Sequence, residues 1–263
     1  MTSDFVKHRA GAPAGFFSAE SAGLRWLAEP GVVPVVEVLD QGEDWLSLER
    51  FEETGPSAAA AVEFGRRLAA LHDAGAPGFG WSPSASAFFG PLDAPFEVSA
   101  KSGSSFAEFW AVRRLHPLLS SLAGELTEDE EAVIASAVDT IGEGGFDGIC
   151  GHGAEEPARV HGDLWAGNLM WTADGVTLID PAAHGGHRLE DLALLALFGT
   201  AHLGEIFSGY EQAHPLPEGW REDLPAHSFF ALLAHVRLFG RGFLGQTMSA
   251  ARAITARGRA LRG

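Results

Sequence analysis

The sequence predicts an α+β chain in two lobes, a small β-rich lobe over residues 1–51 and a larger, mostly helical lobe over residues 52–263. Three observations predict it. The N-terminal residues alternate short β-branched runs with one amphipathic stretch. From Ser57 onward, apolar residues recur at helical spacing. An Asp-Gly hairpin signal, Asp174-Gly175, interrupts those helices and is flanked by polar residues on both sides.

In chain order, Asp4-Phe5-Val6-Lys7 reads as a short strand ending in Lys. A helix follows over Phe16 to Ala28, with Phe17, Leu24 and Leu27 on its apolar stripe. Glu20 falls on the same stripe, and a carboxylate facing a core needs a partner. Lys7 is the expected partner, which is how a kinase holds the lysine that contacts nucleotide phosphates. Val32 to Leu39 and Trp45 to Phe51 read as strands around the turn Asp40-Gln41-Gly42-Glu43, with Pro34 marking an edge or irregular start. Glu49-Arg50-Phe51 would be the hinge to the second lobe.

Ser57 can cap a helix that ends near Gly75. Residues 76–104, rich in Pro, Gly, Ser and Phe, show no clear period and read as a long irregular loop. Phe106, Phe109 and Trp110 open a helix that Pro117 must bend or end. Thr127-Glu128-Asp129-Glu130 is a capping box for a helix through Ile141. Glu190 and Asp191 suit the N-terminus of an apolar helix, and later helices are expected around 203–213, 227–244 and 249–258.

The chemistry concentrates in Val160-His161-Gly162-Asp163-Leu164-Trp165-Ala166-Gly167-Asn168 and in Leu178-Ile179-Asp180-Pro181. The spacing His-x-Asp-x-x-x-x-Asn is that of a kinase catalytic loop, with Gly162 where protein kinases carry Arg. Asp163 can accept a proton from a substrate hydroxyl, and Asn168 and Asp180 offer oxygens to Mg²⁺. With Asp174-Gly175 as a two-residue loop, Trp171 would pair with Leu178 and Leu169 with Asp180, returning Asp180 to Asn168.

Composition narrows the partners. Lys and Arg total 18 against 35 Asp and Glu, a formal net charge of -17, which repels nucleic acid and anionic lipid. One cysteine excludes an intrachain disulfide and fits a reducing compartment. No leader-like apolar segment and no run of 18 apolar residues appears, so a cytoplasmic protein is expected.

On these motifs the chain resembles the fructosamine kinase (ketosamine-3-kinase) family, a branch of the aminoglycoside-phosphotransferase-like and protein-kinase-like fold. The resemblance runs from Phe5-Val6-Lys7 through Phe16 to Leu24, Phe79-Gly80-Trp81 and the His161–Asn168 block. It continues through Asp180-Pro181-Ala182, Gly186-His187-Arg188, Asp191-Leu192-Ala193 and His235 to Gly240. It implies an ATP-dependent kinase of ketosamines with ATP and Mg²⁺ as cofactors. By position it implies Asp163 as the catalytic residue, Asn168 and Asp180 as metal ligands, and Lys7 with Glu20 at the phosphates. Glu49 and Phe51 fall where hinge backbone groups bond adenine, and Trp165 where the family closes on the sugar. His184, His187 and Arg188 complete the expected sugar site.

Some features depart from the family pattern. Lys7 stands where two strands and a Gly-rich loop would come first, so that hairpin is expected to be missing, leaving Phe5-Val6 as an edge for a homodimer. Ala166 replaces a usual Ser, and the loop 82–104 is unusual in form. Two other readings stay open at this point: a kinase of another small hydroxyl substrate such as an aminoglycoside, choline or a sugar, and a nucleotide- or ligand-binding pseudokinase.

Overall fold

In the computed structural model, which describes residues 4–262, the chain opens with β1 (Phe5–His8), α1 (Phe16–Ala28), β2 (Val38–Gln41) and β3 (Trp45–Leu48). These three strands form an antiparallel sheet in the order β1-β3-β2. Lys7 sits opposite Leu46, and directly opposed residues share a face of a sheet. The register therefore turns Lys7 toward the side on which Leu46 is buried against Phe16, Phe17, Leu24 and Val36. Phe5 and Val6 are half exposed.

The expected strand over Val32 to Leu39 is shorter than its composition suggests. Only Val38–Gln41 joins the sheet. Pro34 has no N–H for a ladder, and its carbonyl instead accepts from Leu178 N–H, while Val36 N–H donates to Leu178 O. This segment thus stitches the sheet lobe to the hairpin that carries Asp180.

Next come α2 (Ala58–Asp73), capped by Ser57 Oγ on the Ala60 N–H, and a hairpin of β4 (Ala87–Phe89) and β5 (Phe96–Val98). That hairpin lies within the stretch expected to be irregular. Its aromatic residues account for it: Phe88 packs on Phe16 and Phe89 on Phe230, each ring pair near edge-to-face. A π-helix, Glu108–Leu115, runs into α3 (His116–Ser121). Pro117 sits in the first turn of α3, where a missing N–H is tolerated, so it follows the wider helix without breaking it. In α4 (Glu128–Gly142) both bonds of the expected capping box form.

The remaining strands are β6 (Ala158–Val160), β7 (Leu169–Thr172), β8 (Gly175–Leu178) and β9 (His184–Gly186), paired β6 with β9 and β7 with β8. The helices α5 (Leu189–Phe198), α6 (Leu203–Ala213), α7 (Leu224–His227), α8 (Phe229–Phe239) and α9 (Leu244–Arg262) complete the second lobe. The β7–β8 register differs from the expected one. Leu169 pairs with Leu178 and Thr172 with Gly175, so Ala173-Asp174 is the loop. A loop centred on Asp174-Gly175 would need two left-handed residues; here Gly175 takes a positive φ of 115° and Asp174 does not. Among the described residues no helix is long and apolar enough to cross a membrane.

Candidate active site

A cleft of about 1490 Å³ runs between the sheet lobe and the helical lobe. Its walls include Lys7, Glu20, Glu49, Phe51, Asp163, Trp165, Asn168, Asp180 and His184. The structure thus gathers nine of the eleven residues singled out from sequence around one cavity.

Lys7 Nζ lies 2.8 Å from Glu20 Oε1 and 3.0 Å from Asp180 Oδ1. Burial works against its charge, but the two carboxylates outweigh burial and raise its pKa. Glu20 is buried on the inward face of α1, as its place on the apolar stripe requires. Glu49 and Phe51 follow β3 on the cleft wall, and the Glu49 N–H donates to Glu37 O.

The loop between β6 and β7 is fixed from below. Gly162 has a φ of 80°, and a Cβ there would collide with the Ala182 carbonyl and the His184 ring. This crowding explains a Gly in place of the Arg of protein kinases. Asp191, fully buried at the start of α5, accepts from the backbone N–H of His161 (2.8 Å) and of Gly162 (2.9 Å). Arg188 Nη1 donates to Tyr210 Oη, Tyr210 O–H then donates to His72 Nδ1, and His72 Nε2–H donates to Asp191. Burial opposes the Asp191 charge, yet His72 and the loop N–H groups hold its pKa below the usual carboxylate value. Sequence reading gave Asp191 only a place at a helix N-terminus and gave His72 and Tyr210 no role, because their partners come from distant helices.

Asp163 projects from this loop beside the cleft. Burial, then the nearby carboxylates Asp180 and Asp191, push its pKa up to about 7. Asn168 Nδ2 donates to Asp163 O (2.7 Å) and to Asp180 O (3.3 Å). Both amide hydrogens are thereby engaged, which leaves Asn168 Oδ1 as an acceptor. Asp180 adopts a left-handed backbone, φ 53°, and its side chain is 42% exposed. Among the described residues no group of three or more His, Cys, Asp or Glu forms a metal cage. Two oxygen donors on residues joined by a side-chain-to-backbone bond, one of them a carboxylate, fit a hard cation such as Mg²⁺ that takes its other ligands from phosphates and water.

His184 is carried on β9 opposite Val160. Its Nδ1 faces Ala182 O at 2.8 Å and its Nε2 faces Glu190 Oε2 at 3.0 Å. Trp165 is 43% exposed on the cleft wall.

His187 and Arg188 do not line the cleft, a correction to the expected sugar site. The His187 ring stacks on His227 at 4.2 Å and meets Phe106 at a tilt at 5.1 Å, and burial lowers its pKa well below the usual value. Arg188 is paired to Glu155 (2.7 Å) and Asp73 (3.0 Å) as well as to Tyr210. Both residues face inward, His187 against Phe106 and His227 and Arg188 toward Asp73 on α2 and Tyr210 on α6.

A sequence model of the fructosamine kinase family matches residues 2–257. A probable ketoamine kinase of Thermus thermophilus is 34% identical over 241 residues, covering 91% of this chain and 83% of the relative. The crystal structure of a candidate fructosamine-3-kinase from Thermobifida fusca superposes with a TM-score of 0.87 at 39% identity, covering 96% of this chain and 85% of that one. A choline/ethanolamine kinase family protein from Mesorhizobium loti, at 14% identity and a TM-score of 0.61 over 98% of this chain and 94% of its own, shares the fold alone. The architecture is the two-lobed protein-kinase-like fold.

Proposed function

The chain belongs to the fructosamine kinase family, and we propose that its cleft moves the γ-phosphoryl group of ATP to a sugar hydroxyl of a ketoamine, with Asp163 as the base. It is an ATP-dependent phosphotransferase with an alcohol group as acceptor. The single observation that carries the division of roles is the convergence of Asp163, Asn168, Asp180 and the Lys7–Glu20 pair on one cavity wall.

The substrate hydroxyl oxygen forms a bond to the γ-phosphorus as the bond from that phosphorus to the β–γ bridging oxygen breaks. ADP leaves with the bridging oxygen, and the hydroxyl proton passes to an Asp163 carboxylate oxygen. Asp191 positions Asp163 by holding the loop amides ahead of it. Lys7 offers a charged donor to the nucleotide phosphates, while Glu20 fixes its place. The Glu49 carbonyl and the Phe51 N–H serve the adenine edge. Asn168 Oδ1 and the Asp180 carboxylate would hold Mg²⁺, which when bound neutralises charge developing on the phosphate oxygens. Trp165 and His184 flank the sugar.

The test is a panel of acceptors incubated with ATP and Mg²⁺: a fructosyl-amine, an aminoglycoside and choline. Phosphate is expected on the fructosyl-amine and not on the other two; the reverse preference would replace this reading with the other small-molecule kinase.

A further inference from the structure

One charged side chain in the cleft has no part in the roles assigned above. Arg114, in the π-helix, is 5% exposed, yet it lines the cavity. Its Nη1 donates to Ser99 O at 2.6 Å, its only hydrogen bond among the described residues. A guanidinium carries five N–H donors, so four are left for something in the cavity. No carboxylate of the described residues lies within ion-pair distance of it. Its planar group rests on two aromatic rings, 4.9 Å from the Phe109 centroid and 5.9 Å from that of Phe230. These contacts set its orientation without neutralising it. Burial lowers its pKa to about 10, which still leaves it charged at neutral pH.

Its location is on the acceptor side. The His184 ring abuts Gly162, the residue before Asp163. Phe109 packs on His184 at 5.5 Å, and Arg114 lies over Phe109. This line of contacts leads from the base to Arg114 through His184, not through Lys7 and Asp180, which serve the nucleotide. The nearby acid, Glu190, already accepts from the His187 N–H and from His184. Glu190 favours the charge of the guanidinium but forms no ion pair with it. Such a charge in a chain of net charge -17, buried and ringed by apolar surface, is costly without an anionic visitor.

We infer that Arg114 recognises a carboxylate on the amine portion of the ketoamine, so that the preferred substrates are glycated amino acids with a free α-carboxylate. The inference rests on the ketoamine-kinase reading and narrows it. A planar, forked donor matches a carboxylate in a way that a lysine would not. The sugar hydroxyl would then lie at Asp163 while the carboxylate anchors the far end of the molecule.

The experiment compares fructosyl-glycine with fructosyl-glycinamide, two acceptors that differ in one charge, as substrates of the wild-type protein and of Arg114→Gln and Arg114→Lys. The wild type is expected to prefer the acid by about tenfold or more in kcat/KM, the scale of a hydrogen-bonded charge pair. In Arg114→Gln the ratio of the two values is expected to fall toward one, with Arg114→Lys between. A structural role alone would lower both values together and leave the ratio unchanged, and that result would overturn the inference. Equal use of acid and amide by the wild type would overturn it without any variant. If the wild type phosphorylates neither compound, the ketoamine reading itself fails, a different outcome from equal use of both.

Discussion

Lys7 Nζ and Asp180 Oδ1 stand 3.0 Å apart across 173 residues of chain. One comes from the N-terminal sheet and the other from the turn after β8, so this contact joins the two lobes at the site proposed for the cation and the phosphates. The Val36–Leu178 and Leu178–Pro34 backbone bonds hold the same two lobes in register. The consequence is direct: Lys7→Met removes a charged donor from the phosphates, worth about 1.5–3 kcal/mol per hydrogen bond. ATP affinity measured by calorimetry should fall about ten- to a hundredfold. An unchanged Kd would remove Lys7 from the nucleotide site.

Asp180 supplies a second handle on the same site. Asp180→Ala should abolish the tightening of ATP binding by Mg²⁺, because Asn168 Oδ1 alone is a weak, neutral donor. Calorimetric titration with and without Mg²⁺ measures this, and an undiminished Mg²⁺ effect in the variant would refute the ligand assignment.

The raised pKa of Asp163, about 7, makes activity pH-dependent. A base works only when deprotonated, so kcat/KM should climb as pH rises through about 7 and level off above it. A bound divalent cation favours the carboxylate, so the corresponding limb in kcat should lie at lower pH. Stability runs the other way. The unfolded chain ionises Asp163 near its ordinary value of 3.8 while the folded chain keeps the proton up to about 7. The folded state therefore loses stability as pH rises between those values. Asp163→Asn, which cannot ionise, should gain in Tm relative to wild type across that window and hold the gain above it; a Tm difference that does not vary with pH would contradict the assigned burial.

Asp191 has no exposure and receives two loop amides and His72. Asp191→Ala should cost about 3 kcal/mol or more, since each lost bond to a charged group counts for about 1.5–3 kcal/mol. That corresponds to a Tm lower by roughly 6 °C or more for a chain of this size. Thermal denaturation followed by circular dichroism reads it, and a neutral result would mean that the loop holds its shape without the carboxylate.

How much of this was legible in the sequence depends on what each residue needs. Glu20 could be paired with Lys7 because a carboxylate on an apolar stripe has few ways to be satisfied. The capping box at Thr127 and the span of α1 follow from local rules. The β7–β8 register did not, because Asp174-Gly175 and Ala173-Asp174 both satisfy a tight turn, and only the backbone at Gly175 decides between them. His187 and Arg188 looked like site residues by their nearness in sequence to Asp180. Their true partners, Asp73, Glu155, Tyr210 and His227, lie on other elements and draw them inward. Arg114 could be read in the same way as Glu20: it follows Trp110 by four residues, on an apolar face, with no carboxylate three or four residues away on either side.

The most direct test of the account is the rate of phosphoryl transfer from ATP to a fructosyl-amine by the wild type and by Asp163→Asn, at saturating ATP, with folding and ATP binding of both checked by calorimetry. The account predicts normal ATP binding and a rate lower by about 10²–10⁴-fold in the variant, the range of a positioned base. A folded Asp163→Asn that binds ATP and transfers phosphate at near the wild-type rate would contradict it.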